Sequence, residues 1–242
     1  MLQITIDGPA GVGKSTAAKM LARRLGLLYL DTGATYRALA YQVVGERLEP
    51  ASLTRVLDLA RHLQVRFKQT PDQVRVFLDG ADVTQDIRTE RVTEVAAIIA
   101  QFPQIRAVLV ELQRRLASAQ PCVVEGRDTG SVVFPQAPYK FFLTASSVIR
   151  AKRRHTELSR AQVSCPSLTA LSRQLRSRDR LDRTRQVGPL VKPKRAIVIN
   201  TSHLSAEEVI QRMLRHLARG RFFRDAAARR PKPASHRAHL AG

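Results

Sequence analysis

The sequence predicts an α/β protein with a five-stranded, doubly wound parallel sheet, a P-loop, a small antiparallel β insertion and a helical lid. Three observations carry that expectation. A strand, a glycine-rich loop and a helix open the chain in that order. Short apolar runs then alternate with helical patterns, as in a sheet covered on both faces. One hairpin signal, Asp79-Gly80, interrupts the alternation.

Leu2, Ile4 and Ile6 alternate with polar residues as the first strand, and Ala17, Met20, Leu21 and Leu25 recur at helical spacing behind the loop. Between them, Gly8-Pro9-Ala10-Gly11-Val12-Gly13-Lys14-Ser15 fits G-x-x-x-x-G-K-[ST] without a mismatch. Glycines let successive N–H groups wrap an anion, and the following helix N-terminus adds its dipole. Lys14 then reaches the outer phosphates of a nucleoside triphosphate, and the Ser15 hydroxyl suits the Mg²⁺ riding on them.

The second strand is read at Leu27–Leu30, and Asp31-Thr32-Gly33 turns the chain into a helix from about 34 to 44. Tyr36 and Arg37 fall in its first turns, where a phenol and a guanidinium suit a second anionic ligand. A helical pattern over 53–63 precedes the antiparallel insertion, placed at about 64–88 with Val65, Phe67, Val74, Val76 and Leu78 as its apolar positions. From Glu90 to Ala119 the pattern is helical, broken at Pro103, with Arg106 at the start of the second helix.

Cys122–Glu125 reads as a buried strand ending in Glu125-Gly126-Arg127-Asp128. A carboxylate at the C-terminal end of such a strand lies beside the P-loop, where it can order Mg²⁺ through water or steer an acceptor. Tyr139–Leu143 is the next strand. A basic helix follows with Arg150, Arg153 and Arg154, then a polar stretch, then a helix leading into Arg178-Asp179-Arg180-Leu181-Asp182-Arg183-Thr184-Arg185. Arginines on both stems and a polar tip give 150–185 the composition of a lid. Ala196–Ile199 is the last strand, and Ser205 with Glu208 forms a capping box for the closing helix.

The composition bounds the partners. Forty-one Lys and Arg against 20 Asp and Glu leave a formal charge of +21 over 242 residues, so polyanionic ligands are expected. Fourteen of the cations lie between Arg150 and Arg195, inside the fold, and seven lie from Arg219 onward, six of them in a basic tail at 221–242 that is too polar to bury much surface. Two cysteines, Cys122 and Cys165, supply neither a disulfide framework nor a zinc site. The absence of an apolar leader or a long apolar run points to a cytoplasmic protein without a membrane partner.

Taken together, GPAGVGKST, LDTGATYR (30–37), VFLDGADVTQDIR (76–88), FPQIR (102–106), EGRDTGSVVFPQAP (125–138) and RDRLDRTR (178–185) resemble the bacterial-type cytidylate kinases over residues 2 to about 218. The resemblance implies transfer of the γ-phosphate of ATP to CMP or dCMP, with Mg²⁺; a monomer is expected. It implies that residues 8–16, Gly8 through Thr16, hold ATP together with Arg150. Thr32, Tyr36, Arg37 and Arg127 would hold the acceptor phosphate, and Arg106, Asp128 and Arg185 would read the cytosine ring. Arg178 and Asp182 would contact the ribose and the acceptor phosphate region. Lys14, Arg127, Arg153, Arg154 and Arg178 would stabilise the transferring group, and Ser15, with Glu125 through water, would serve the metal.

Ala97 and Asn200 depart from the family pattern, which places a serine and an aspartate there. A P-loop kinase of another small acceptor such as UMP, AMP or shikimate is the alternative enzyme. A nucleic-acid-associated P-loop protein is the alternative from another class; it requires salt-sensitive RNA affinity in the residues after Gly220. For the tail itself the expectation is at most a weak electrostatic RNA contact.

Overall fold

The computed structural model describes residues 1–70, 73–160 and 166–220. The outer part of the sequence-expected lid tip, including Cys165, and the whole of the basic tail lie outside the described residues.

Strand β1 (Gln3–Asp7) is the axis of the molecule. It pairs in parallel with β6 (Cys122–Gly126) on one side and β7 (Tyr139–Thr144) on the other; β2 (Leu28–Asp31) lies beyond β6 and β8 (Ile197–Asn200) beyond β7. The order β2-β6-β1-β7-β8 is a doubly wound parallel sheet. Alternation sends Ile4 and Ile6 to one face, where they pack with Leu21 of α1 (Lys14–Leu25), Phe141, Leu143 and Met213 of α8 (Ala206–Ala218). On the opposite face, Leu30, Cys122 and Val124 meet Ala117 of α5 (Pro103–Ala117).

A second core joins the helices that follow β2 to the antiparallel insertion. Helix α2 (Thr32–Gly45), α3 (Leu53–His62) and α4 (Glu90–Ile99) pack with α5 and with the antiparallel strands β3 (Val65–Gln69), β4 (Val74–Leu78) and β5 (Ala81–Asp82). Leu39, Val56, Val76, Ile87, Ile99 and Leu109 are the buried centre of this cluster. Two further helices, α6 (Ser147–Arg160) and α7 (Leu168–Thr184), flank the segment expected as the lid tip.

Register decides what meets at the strand ends. Ile6 lies beside Glu125 on one flank and Phe141 on the other, and Asp7 lies beside Gly126 and Phe142. The P-loop, which leaves β1 at Asp7, and the Glu125–Asp128 segment, which leaves β6, therefore emerge side by side.

Local structure differs from the sequence expectation in one respect that bears on the site. No turn separates β2 from α2: the helix starts at Thr32, because Asp31 caps it, Oδ1 accepting from the Ala34 N–H at 3.1 Å. The Ser205/Glu208 capping box is present as read. Asn200 closes its own turn, the amide oxygen accepting from the Ser202 N–H at 3.0 Å, as an aspartate there would. Among the described residues no single helix is long and apolar enough to cross a membrane.

Leu21 is fully buried between α1 and the sheet. Leu21→Ala should lower the unfolding free energy by about 2–5 kcal/mol, measured as a shift in the urea midpoint at constant slope.

Candidate active site

The phosphate loop is shaped by backbone that only glycine adopts freely. Gly8 has φ 149°, and a Cβ there would run into the Leu143 carbonyl; Gly13, at φ 89°, is the N-cap of α1. Both α6 and α7 grip the loop at Ala10. The Ala10 N–H donates to Asp179 Oδ1 at 3.1 Å, while Arg150 Nη1 donates to the Ala10 carbonyl at 3.0 Å and to Asp179 Oδ2 at 2.5 Å. Arg153 donates to the Thr201 carbonyl at 2.6 Å and hydroxyl at 2.9 Å, and Thr201 Oγ1 donates to the Val12 carbonyl at 2.9 Å. Arg154 sits at the surface, paired with Glu157 at 2.8 Å.

Lys14 is buried in the mouth of the loop with Nζ donating to the Pro9 carbonyl at 2.8 Å. Burial, then the Arg127 guanidinium, push its pKa down to about 7, against an upward pull from Glu125 and Asp182; Arg178 adds to the downward push. Ser15 and Thr16 are exposed in the first turn of α1.

Across from the loop, β6 delivers Glu125, Arg127 and Asp128. Glu125 is buried and accepts from the Tyr29 hydroxyl at 2.7 Å. Arg127 Nε donates to Asp182 Oδ2 at 2.8 Å, leaving its two terminal nitrogens for a ligand. Asp128 lies between two guanidiniums: Oδ2 accepts from Arg106 Nη2, and Oδ1 is 3.6 Å from Arg185 Nη2. Arg185 is held in turn by the Gly188 carbonyl at 2.5 Å and Asp182 at 3.4 Å. Arg106 is 1% exposed, so this pair is a buried ion pair rather than a surface contact.

Residues of α2 pack beside this pair. The Tyr36 ring stacks under Arg106 at 5.5 Å, and burial pushes its phenol up to about 12. Arg37 Nη2 pairs with Asp31 Oδ2 at 2.6 Å. Burial raises the Asp31 carboxyl, but Arg37 and Arg88 outweigh it and hold it below its ordinary value. The Thr32 hydroxyl, expected at the acceptor phosphate, is spent on the Glu125 carbonyl at 2.8 Å. Ala97 carries no side-chain polar group; its carbonyl accepts from Gln101 Nε2 at 3.2 Å.

Two features set the polar groups here apart. Among the described residues, Tyr36 Oη, Arg37 Nε, Arg106 Nε and Arg185 Nη2 are buried without a formed hydrogen bond, and every one of them can donate. Arg178 has no hydrogen-bond or ion-pair partner among the described residues, and burial followed by Arg127 lowers its pKa to about 10. A ligand rich in acceptor oxygens satisfies both. The Ser15 hydroxyl and the Glu125 carboxylate are hard oxygen donors of the type Mg²⁺ takes. Among the described residues no group of three or more His, Cys, Asp or Glu is placed to hold a metal, so the cation would be carried chiefly by phosphate oxygens and water.

Asp7 and Asp179 are the functional-region carboxylates that sequence reasoning passed over. Asp179 stood in the Arg/Asp run that was read for its arginines, and Asp7 is the charged residue that ends a strand whose other polar positions, Gln3 and Thr5, are uncharged. A polar residue closing a strand just before a glycine loop was the available signal.

A strand, P-loop and helix within a parallel sheet of this order define a P-loop nucleoside-triphosphate-binding fold. A family model described as "Cytidylate kinase" matches residues 4–219. Cytidylate kinases from Caldanaerobacter subterraneus subsp. tengcongensis and Desulfitobacterium hafniense are 42% and 45% identical to this chain. The first aligns over 88% of this chain and 92% of its own length, the second over 88% and 91%. The chain belongs to the cytidylate kinase family.

Lys14 generates a pH prediction. Phosphate oxygens favour its charged form, so binding inorganic triphosphate should draw a proton from solution between about pH 7 and 9, and affinity should fall as pH rises through that range. Calorimetry in buffers of different ionisation enthalpy measures the uptake. Lys14→Met should abolish it.

Proposed function

We propose that this protein transfers the γ-phosphoryl group of ATP to CMP or dCMP, giving ADP and CDP or dCDP. The observation that carries the reading is a set of buried donors without acceptors among the described residues: Arg106 Nε and Arg185 Nη2 beside the Asp128 carboxylate, Tyr36 Oη against Arg106, and Arg37 Nε beside Asp31. A nucleoside monophosphate supplies acceptors in its phosphate and its ring, and cytosine adds an exocyclic amine for the carboxylate.

Residues 1–220 act as the kinase domain, with the insertion at 64–88 on the acceptor side and 150–185 as the lid. ATP lies along Gly8–Thr16 with its outer phosphates at Lys14. Mg²⁺, when bound, neutralises phosphate charge and is held by Ser15, with Glu125 acting through water. Arg37 and the free nitrogens of Arg127, with Tyr36, grip the acceptor phosphate; Arg106 and Arg185 donate to the cytosine ring nitrogen and carbonyl, and Asp128 accepts from its amine.

An acceptor phosphate oxygen attacks the γ-phosphorus in line, the bond to the β,γ-bridging oxygen breaks, and ADP carries the electron pair away. Lys14, Arg127 and Arg178 supply cations around the transferring group, the electrostatic contribution that dominates such reactions. Arg153 and Arg154 reach the same phosphates from α6 as the lid shuts and excludes water. Arg150 serves ATP indirectly, by fixing the loop at Ala10. The active species is a monomer in the cytoplasm.

Uracil presents a carbonyl where cytosine presents the amine, so Asp128 would face an acceptor and lose its bond. In a monophosphate panel with MgATP, CMP and dCMP should give far higher kcat/KM than UMP or AMP; comparable values for all four would refute the base reading. Asp128→Ala should shrink the CMP-to-UMP ratio by about 100-fold or more with little change in ATP affinity.

A further inference from the structure

The geometry points to Asp7 as a positioning residue that sets the Arg127–Asp128 dipeptide against the phosphate loop, an inference that rests on the acceptor reading above. Asp7 is fully buried at the end of β1, one residue before Gly8. Its side chain turns away from the loop it precedes. Oδ1 accepts from the Thr129 N–H and from the Thr129 hydroxyl, both at 2.8 Å, and Oδ2 accepts from the Gly130 N–H at 2.7 Å.

Burying a carboxylate without a paired cation is costly. No Lys or Arg forms an ion pair with Asp7 among the described residues, and burial pushes its pKa up to about 6 against the pull of these three donors; Asp128 nearby adds to the rise. An apolar residue at the same place would satisfy the sheet. What the carboxylate adds is a fixed seat for two consecutive peptide groups.

Those two peptide groups lie immediately after the residues that the acceptor reading uses. In the ladder, Asp7 is also the β1 partner of Gly126. Arg127 and Asp128 are therefore suspended between two anchors on one residue: Gly126 through strand register, and Thr129–Gly130 through the side chain. The Asp128 carbonyl is fixed as well, accepting from Val132 N–H at 2.9 Å and Val133 N–H at 3.2 Å in the single π-helical turn Thr129–Val133. Gly130 sits so close to β1 that a Cβ would be 2.7 Å from Thr5 Oγ1 and 3.2 Å from Asp7 Oδ2. The acceptor segment is thus seated directly on the strand that launches the donor loop, and the two halves of the reaction share one reference point. Misplacement by about 1 Å can cost a phosphotransferase some 100-fold.

Asp7→Asn keeps the shape but turns one accepting oxygen into a donor, so one of the three bonds becomes a clash of N–H groups. In steady-state assays with MgATP, Asp7→Asn should raise KM for CMP by about 10-fold or more and lower the CMP-to-UMP ratio of kcat/KM, while the Kd for ATP stays within about twofold. Thr129→Val removes the hydroxyl donor and leaves both backbone donors. It should raise KM for CMP by about threefold in the same pattern, and it decides the matter if Asp7→Asn does not fold. Unchanged KM and selectivity in both variants, or a parallel loss of ATP and CMP affinity, would overturn the role of Asp7. Wild-type protein that fails to prefer CMP over UMP would remove the acceptor reading itself, and this proposal with it; a selective wild type with unaffected variants removes the proposal alone.

Discussion

The structure depends on an excess of positive charge at the point where β1 and β6 end. Lys14, Arg127 and Arg178 act on one another there, and Glu125 and Asp182 are the carboxylates that pull in the opposite direction. Repulsion and burial lower the pKa of Lys14 to about 7 and that of Arg178 to about 10, so the unliganded site holds its cations at a cost. Phosphate groups relieve that cost. Binding energy is drawn from charges already in place, which is how electrostatic catalysis avoids reorganisation during the reaction.

Holding such charges in place is the work of the aspartates. Asp31 orients Arg37, Asp128 orients Arg106, Asp179 orients Arg150, and Asp182 orients Arg127. Each is buried or partly buried, where a single carboxylate within hydrogen-bond distance fixes a guanidinium plane. Asp7 differs in holding backbone instead of a cation. Arg178 has no aspartate at ion-pair distance among the described residues, and burial with the nearby Arg127 lowers its pKa. The outward basicity of the chain therefore has an inward counterpart: within the site most arginines are already paired, and few buried donors are left without a partner among the described residues.

The fold was legible because its signals are local. Alternation in Leu2–Asp7, the glycine loop and the Ser205/Glu208 box each lie within a few residues, and strand, loop, helix and cap appear where they were read. The partnerships were not legible. Nothing in the run Arg178–Arg185 tells that Asp179 reaches back to Ala10, 169 residues away, or that Asp182 takes Arg127. Thr32, expected at the acceptor phosphate, also ties α2 to the end of β6, because strand register brings the Glu125 carbonyl to 2.8 Å from its hydroxyl. Sequence pattern names the residue types a site requires, while long-range register decides which of them face the ligand and which hold the others.

The unbalanced charge is tested most directly at Arg178. The Arg178→Met protein keeps much of the apolar stem and removes the cation. With nucleotide absent, urea unfolding at pH 8 should show it to be more stable than wild type, by about 1 kcal/mol, since a partly buried charge without a partner has been deleted. The same protein should transfer phosphate about 100- to 1,000-fold more slowly. A variant that is less stable than wild type yet turns over at the wild-type rate would contradict the account.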